Sequence, residues 1–295
     1  SVISEVMSVY GEGTGQSPQY RLWNGATWSN PESAETVDSQ IRWTRLKAAP
    51  TRPEYVLGTL GTDLDINFQV YDGVTESWSN VFEIYTESVE ATKRRFDLAY
   101  ETTSGDLIAV ACVGSNAVYS IWNGTSWSAT STISLVNTNA CEWVQLTSDP
   151  TSDEIVALFR NNSASTTDFE ALVWSGSSWG NSKTLGDISN NAYEGMAVNY
   201  EESGGQAVIV ASNNANNSFL WSAWNGSSWT TATATAVGND FYWASLKRDV
   251  GTDQMALCYV DADNDIGVIL WNGSSWNTFS EIDQNNNDIA GRGVD

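Results

Sequence analysis

The sequence predicts an all-β repeat fold, and three observations carry that prediction. A short aromatic and glycine phrase returns six times, strand-like runs recur at regular spacing between its copies, and no stretch sustains a 3.6-residue periodicity. The phrase runs aromatic, then Asn, Asp or Ser, then Gly, a short polar stretch and Trp. Its copies are Trp23-Asn24-Gly25 to Trp28, Tyr71-Asp72-Gly73 to Trp78, Trp122-Asn123-Gly124 to Trp127, Trp174-Ser175-Gly176 to Trp179, Trp224-Asn225-Gly226 to Trp229 and Trp271-Asn272-Gly273 to Trp276. The closing Trp recurs at intervals of 47 to 52 residues, which is the period of propeller and solenoid units.

Each copy reads as a β-hairpin. Asn-Gly and Asp-Gly tolerate the positive φ that tight turns demand, and a glycine in that conformation is expected at all six turns, Gly25, Gly73, Gly124, Gly176, Gly226 and Gly273. The strand before the turn is apolar at Leu22, Val70, Ile121, Val173, Ala223 and Leu270, and at the motif aromatic beside it on the other face. Both faces therefore expect packing. Upstream lie two further runs. The nearer covers 55–60, 107–113, 155–159, 207–211 and 255–260; the farther covers 43–47, 96–100, 143–147, 196–200 and 243–247. Polar clusters such as Ser148-Asp149-Pro150-Thr151-Ser152-Asp153 separate them as turns.

Four antiparallel strands in each of six units predict a six-bladed β-propeller, one domain over 1–295 with hairpins centred near residues 25, 73, 124, 176, 226 and 273. The first copy has too few residues ahead of it for a full unit, and the tail 289–295 resembles the start of an innermost strand. The tail is expected to complete the first blade and close the ring, which removes exposed sheet edges. An open solenoid is the alternative.

Composition bounds the function. Thirteen Lys and Arg against 36 Asp and Glu give a net charge of −23, so nucleic acid and anionic membrane surfaces are repelled as partners. No histidine is present, which removes the commonest general base and metal ligand. Cys112, Cys141 and Cys258 lack C-x-x-C spacing; one bridge can form and none is required. No apolar run reaches the length of a membrane helix, and no leader pattern opens the chain, so a soluble chain is expected, with any export signal removed or never present.

Candidate sites follow from the same residues. The twelve motif aromatics (Trp23, Trp28, Tyr71, Trp78, Trp122, Trp127, Trp174, Trp179, Trp224, Trp229, Trp271 and Trp276) pair across their hairpins, where they either fill the wedge between blades or offer grooves that stack on a sugar. Asp261, Asp263 and Asp265 have the alternating oxygens of a calcium loop but lack its Gly at the sixth position and Glu at the twelfth, so no cofactor is required and calcium is a secondary expectation. The carboxylate pairs Asp153/Glu154 and Glu201/Glu202 read as surface charges in turns. Asn123, Asn161, Asn216, Asn225 and Asn272 begin Asn-x-Ser/Thr sequons, three of them in the hairpin turns.

With its repeats laid out, the chain resembles propellers whose blades carry Trp/Gly hairpin signatures, among them the six-bladed fucose-binding lectins and the tachylectin-like propellers. The phrase is also similar, more distantly, to the Asp-box of sialidases, Ser-x-Asp-x-Gly-x-Thr-Trp, with Asn or Asp here directly before the Gly. The lectin resemblance implies sugar binding between blades by aromatic stacking with Arg or Glu hydrogen bonds. Arg21 has Gln69, Ser120, Leu172, Ser222 and Ile269 as counterparts, so no sixfold repeated site follows. The Asp-box is a structural turn in the sialidases and implies no hydrolysis. The expectation is a non-enzymatic extracellular or cell-surface binding and adhesion module whose partners are glycans or another surface protein. The alternative is a structural repeat domain of a cell-surface layer, filament or virion.

Overall fold

A computed structural model describes residues 6–86, 91–162, 167–186, 193–203, 205–213, 217–278 and 280–283. The described residues form strands and turns without a helix, as the periodicity predicts, and the strands make six antiparallel sheets. The first sheet contains β1 (Val6–Tyr10), β2 (Gln19–Trp23) and β3 (Glu32–Ser33). The second is β4 (Ile41–Ala48), β5 (Glu54–Gly61), β6 (Ile66–Asp72) and β7 (Ser77–Tyr85). The third is β8 (Phe96–Tyr100), β9 (Leu107–Val113), β10 (Asn116–Trp122) and β11 (Ser131–Ile133). The fourth is β12 (Cys141–Ser148), β13 (Ile155–Asn161), β14 (Phe169–Trp174) and β15 (Trp179–Leu185). The fifth is β16 (Met196–Tyr200), β17 (Ala207–Asn213), β18 (Ser218–Trp224) and β19 (Thr233–Ala236). The sixth is β20 (Phe241–Arg248), β21 (Met255–Asp261), β22 (Ile266–Trp271) and β23 (Ser280–Asp283).

Within every sheet the strands pair in chain order, as short turns between antiparallel neighbours require. The motif hairpin always joins the last two strands. In the first sheet β1 takes the place of β5 in the second, and no described strand stands where β4 would. The tail 289–295 assigned to that place lies outside the described residues.

Packing contacts resolve two compact units, Ser1–Leu135 with Cys141–Val144, and Val136–Ala140 with Gln145–Asp295. In the first unit Met7 and Tyr20 of the first sheet, with Ala34 just past β3, pack on Tyr55, Leu57, Tyr71 and Trp78 of the second. The other face of the second sheet, through Val56, Leu60 and Phe68, meets Phe96, Leu98 and Ala109 of the third. In the second unit Val208, Val210 and Phe219 of the fifth sheet pack on Phe241, Leu246, Leu257 and Tyr259 of the sixth. Strands β5, β9, β13 and β17 are buried on both faces, which explains why they read as apolar runs without alternation. Each Leu, Val or Phe so buried contributes about 1.5–3 kcal/mol. A disulfide joins Cys112 of β9 to Cys141, the first residue of β12, and Cys258 is free.

One turn departs from the expectation. Gly25, Gly124, Gly176, Gly226 and Gly273 take the left-handed conformation, but Gly73 does not; in its hairpin Glu76 has φ 53° instead. The cause is length. Six residues separate Tyr71 from Trp78, where four separate the other pairs, and the longer loop puts its left-handed residue at the far end.

Candidate functional site

The motif aromatics face each other across their hairpins, with ring centroids 5.3 to 5.6 Å apart in all six pairs. The first member is a core residue in five pairs: Tyr71, Trp122, Trp174, Trp224 and Trp271 are only 1–2% exposed, and Trp78 is buried as well. A ring sealed on both faces has none to offer a sugar. The groove expectation is therefore corrected for these six, which fill space between or beneath the sheets. Trp23, Trp127, Trp179, Trp229 and Trp276 are half-buried, and Trp28 is open, at 42% exposed.

Two of the half-buried indoles are fixed by a backbone device. The N–H of Trp127 donates to the Asn80 carbonyl at 3.0 Å, and that of Trp229 to the Asn181 carbonyl at 2.6 Å, each from one sheet to the outer strand of the sheet before it. Asn80 and Asn181 both have positive φ and sit at β-bulges, where Gln69 opposes Asn80 and Val81, and Leu172 opposes Asn181 and Ser182. A bulge frees a carbonyl from the ladder and bends the strand, and Asn tolerates the left-handed region better than most residues.

The carboxylates read as surface charges are partly buried pegs instead. Glu154 Oε1 accepts from both Tyr200 Oη and Trp224 Nε1, each at 2.7 Å, and Glu201 Oε1 accepts from Trp271 Nε1 at 2.7 Å. In the first unit Tyr100 Oη donates to Glu54 Oε1 at 2.7 Å. Sequence reading missed that Glu54, Tyr100 and Glu101 recur one hundred residues on as Glu154, Tyr200 and Glu201. Burial, then the charge of the neighbouring carboxylate, raises the Tyr100 phenol well above its ordinary range, so it donates and does not ionise. Burial raises Glu201 above the usual carboxylate range, opposed by the Trp271 hydrogen bond. Glu202 pairs with Arg248 at 2.7 Å.

At the calcium candidate, Asp261 Oδ1 accepts from the backbone N–H of Asp263 and Asp265 and so closes the β21–β22 turn. Burial, opposed by those two hydrogen bonds, raises its carboxyl. Asp263 accepts from the Asn239 amide. Among the described residues no group of three or more His, Cys, Asp or Glu is placed to hold a metal ion. Of the sequons, Asn123, Asn225 and Asn272 are exposed, and their Oδ1 atoms cap the hairpin turns by accepting two backbone N–H groups each. Asn161 is wholly buried at the end of β13, which corrects it as a glycosylation candidate, and Asn216 lies outside the described residues.

A cleft of about 560 Å³ opens in the first unit between the start of β4 and the segment leading into β8, lined by Arg42, Trp43, Thr62, Ala91 and Thr92. Its geometry starts from a bulge. Ile41 pairs with Gly61 and Trp43 with Leu60, so Arg42 is the extra residue, and its exposed side chain leaves the regular alternation. The half-buried Trp43 indole rests edge-on against Trp143, centroids 5.8 Å apart, and donates to the Ala91 carbonyl at 3.0 Å. Thr62 and Thr92 place exposed residues with hydroxyls at the rim. In the second unit the bulge of β20 carries Tyr242, which stacks on Tyr193 at 4.0 Å. Sequence reading took residues 43–47 as a strand only; the available signal was Arg42-Trp43 where the repeats offer Glu142-Trp143 and Tyr242-Trp243.

No protein-family model and no curated protein sequence matches the chain. Solved structures do. The BP39L lectin from Burkholderia pseudomallei superposes on 95% of this chain and 81% of its own, with a TM-score of 0.69 and 11% identity. A mutant of the Aleuria aurantia lectin in complex with Fucα1-6GlcNAc matches over 93% of this chain and 91% of its own, with a TM-score of 0.50 and 14% identity. The NanB sialidase from Streptococcus pneumoniae matches over 87% of this chain and 62% of its own, with a TM-score of 0.51 and 10% identity. At these identities the likeness is one of fold.

Proposed function

We propose that the chain is a non-enzymatic glycan-binding module whose six sheets are the blades of a six-bladed β-propeller, the first completed by residues 289–295. The observation that carries the binding reading is the Arg42–Trp43 cleft. It joins an apolar indole to a guanidinium and two hydroxyl-bearing rim residues, the mixture of one apolar wall and a few convergent polar groups that orients a small ligand. A sugar fits that mixture: its C–H face packs on the indole while its oxygens accept from the guanidinium. The fold likeness to two lectins supports the reading, and glycans come before another surface protein as partner. The Cys112–Cys141 bridge supports an oxidising, extracellular or cell-surface setting, since such bonds are rare in the cytosol.

The test is a glycan array followed by calorimetry and thermal shift. Binding is expected, and at a hundredfold excess over its dissociation constant the sugar should raise stability by about 2.7 kcal/mol. Trp43→Ala should weaken binding at least about tenfold; Trp43→Phe, which keeps a ring over the core, serves if the alanine variant folds poorly. An array without a hit, or variants that bind as the parent does, would overturn the reading.

The burial of most motif aromatics favours a second reading, a rigid structural repeat in a surface layer, filament or virion. Self-assembly seen by electron microscopy, together with an empty array, would select it.

A further inference from the structure

We infer that the Arg42 cleft selects a sugar bearing an oxyanion, a carboxylate or a sulfate, over neutral sugars. This deepens the glycan reading and rests on it. The other cations near the cleft are engaged by the fold. Arg94 and Arg95 are buried and donate to the carbonyls of Phe96, Val144 and Cys141. Lys93 pairs with Glu142, and Arg45 with Asp97. Each charge is spent inside the fold. Arg42 forms no hydrogen bond or ion pair with any described residue, in a chain that carries 36 carboxylates.

The described residues lining the cleft offer donors in the Arg42 guanidinium and hydroxyls that can act either way, and none of them is a carboxylate. A neutral sugar presents hydroxyls, each of which brings a hydrogen to donate as well as lone pairs, and a site for it gains from an acceptor-only partner. An oxyanion brings acceptors alone and matches the planar fork of Arg with two parallel hydrogen bonds. Asp63, beside Thr62, turns one oxygen, Oδ1, to Ser39 Oγ and the Asp65 N–H.

The net charge of −23 opposes any anion at long range. Salt screens charges beyond about 8 Å at physiological ionic strength, whereas a bidentate contact acts within 3 Å. Recognition therefore depends on the contact itself, and Arg42 is placed on a bulge at the cleft to make it.

The experiment uses matched pairs on the full chain: sialyllactose against lactose, sulfated lactose against lactose, and trigalacturonate against its methyl ester. The acidic member of at least one pair should bind about tenfold tighter or more. The pair that responds identifies carboxylate or sulfate. Arg42→Gln should bring the acidic member down to its neutral partner while leaving the melting temperature unchanged, because the side chain supports no packing. If the neutral members bind equally well, the oxyanion inference falls and the glycan reading stands. Should the preference survive in Arg42→Gln, its assignment to this cleft falls. With no member of any pair bound and an array empty of hits, both readings fall; with hits confined to other, neutral sugars, only this one does.

Discussion

The indole N–H of Trp224 donates to the carboxylate of Glu154 from 2.7 Å, across seventy residues of chain and from one sheet to the next. The same oxygen takes the Tyr200 hydroxyl. Both donors are buried, so removing the acceptor strands two polar groups away from water. Glu154→Leu should destabilise the protein by about 2–6 kcal/mol, since each of the two orphaned donors costs about 1–3. Glu154→Gln, which keeps an acceptor oxygen, should cost less. Urea denaturation of the two variants checks the order, and an equal cost for both would show that shape, not acceptance, holds these donors.

Gly226 and Gly73 occupy corresponding turns with different backbones. Gly226 has φ 85° and open space where a Cβ would stand, so a side chain there pays only the conformational penalty. Gly226→Val should cost about 1–3 kcal/mol. Gly73, outside the left-handed region, should accept Ala with little change. Thermal melting of the pair tests the assignment.

The bridge between Cys112 and Cys141 closes 29 residues of chain, and both cysteines are buried. Restricting the unfolded chain in this way stabilises by about 2–4 kcal/mol. The double variant Cys112→Ala with Cys141→Ala should lower the urea midpoint accordingly, and Cys258→Ala should leave the bridge intact by mass after alkylation. A free-thiol count of three in the denatured, unreduced parent would show that the bridge does not form.

Acidification from neutral pH should stabilise the fold. Burial raises the carboxyls of Glu201, Glu170 and Asp261, and burial followed by the charges of Asp65 and Asp63 raises Glu83. Between the ordinary carboxylate range and these raised values the folded state holds protons that the unfolded state has released. Stability therefore falls as pH rises through that window and returns as pH drops back through it. Reduced self-repulsion of a chain at −23 acts in the same direction. A higher melting temperature at about pH 5 than at about pH 8 is expected; the reverse order would mean that other groups, with depressed values, dominate.

Much of the fold was legible in the residues alone. The runs 96–100, 107–113 and 196–200 coincide with β8, β9 and β16, and each motif pair, such as Trp122 with Trp127, stands opposite across its hairpin. Strand propensity, turn chemistry and spacing are local properties, so sequence determines them by itself. Which side of a strand meets another sheet is not local. Trp122 and Trp23 open the same motif in their repeats, yet the first is sealed within the cluster of the second and third sheets and the second is only half-buried. The bulges that turn out Arg42 and free the carbonyls of Asn80 and Asn181 arise from register between strands, and the sequence shows only an unremarkable Arg-Trp and two asparagines. The carboxylate of Glu154 became an internal acceptor because Tyr200 and Trp224 arrive beside it from the next sheet. Hydrogen bonding and desolvation depend on what surrounds a group in three dimensions, and tertiary structure alone decides that.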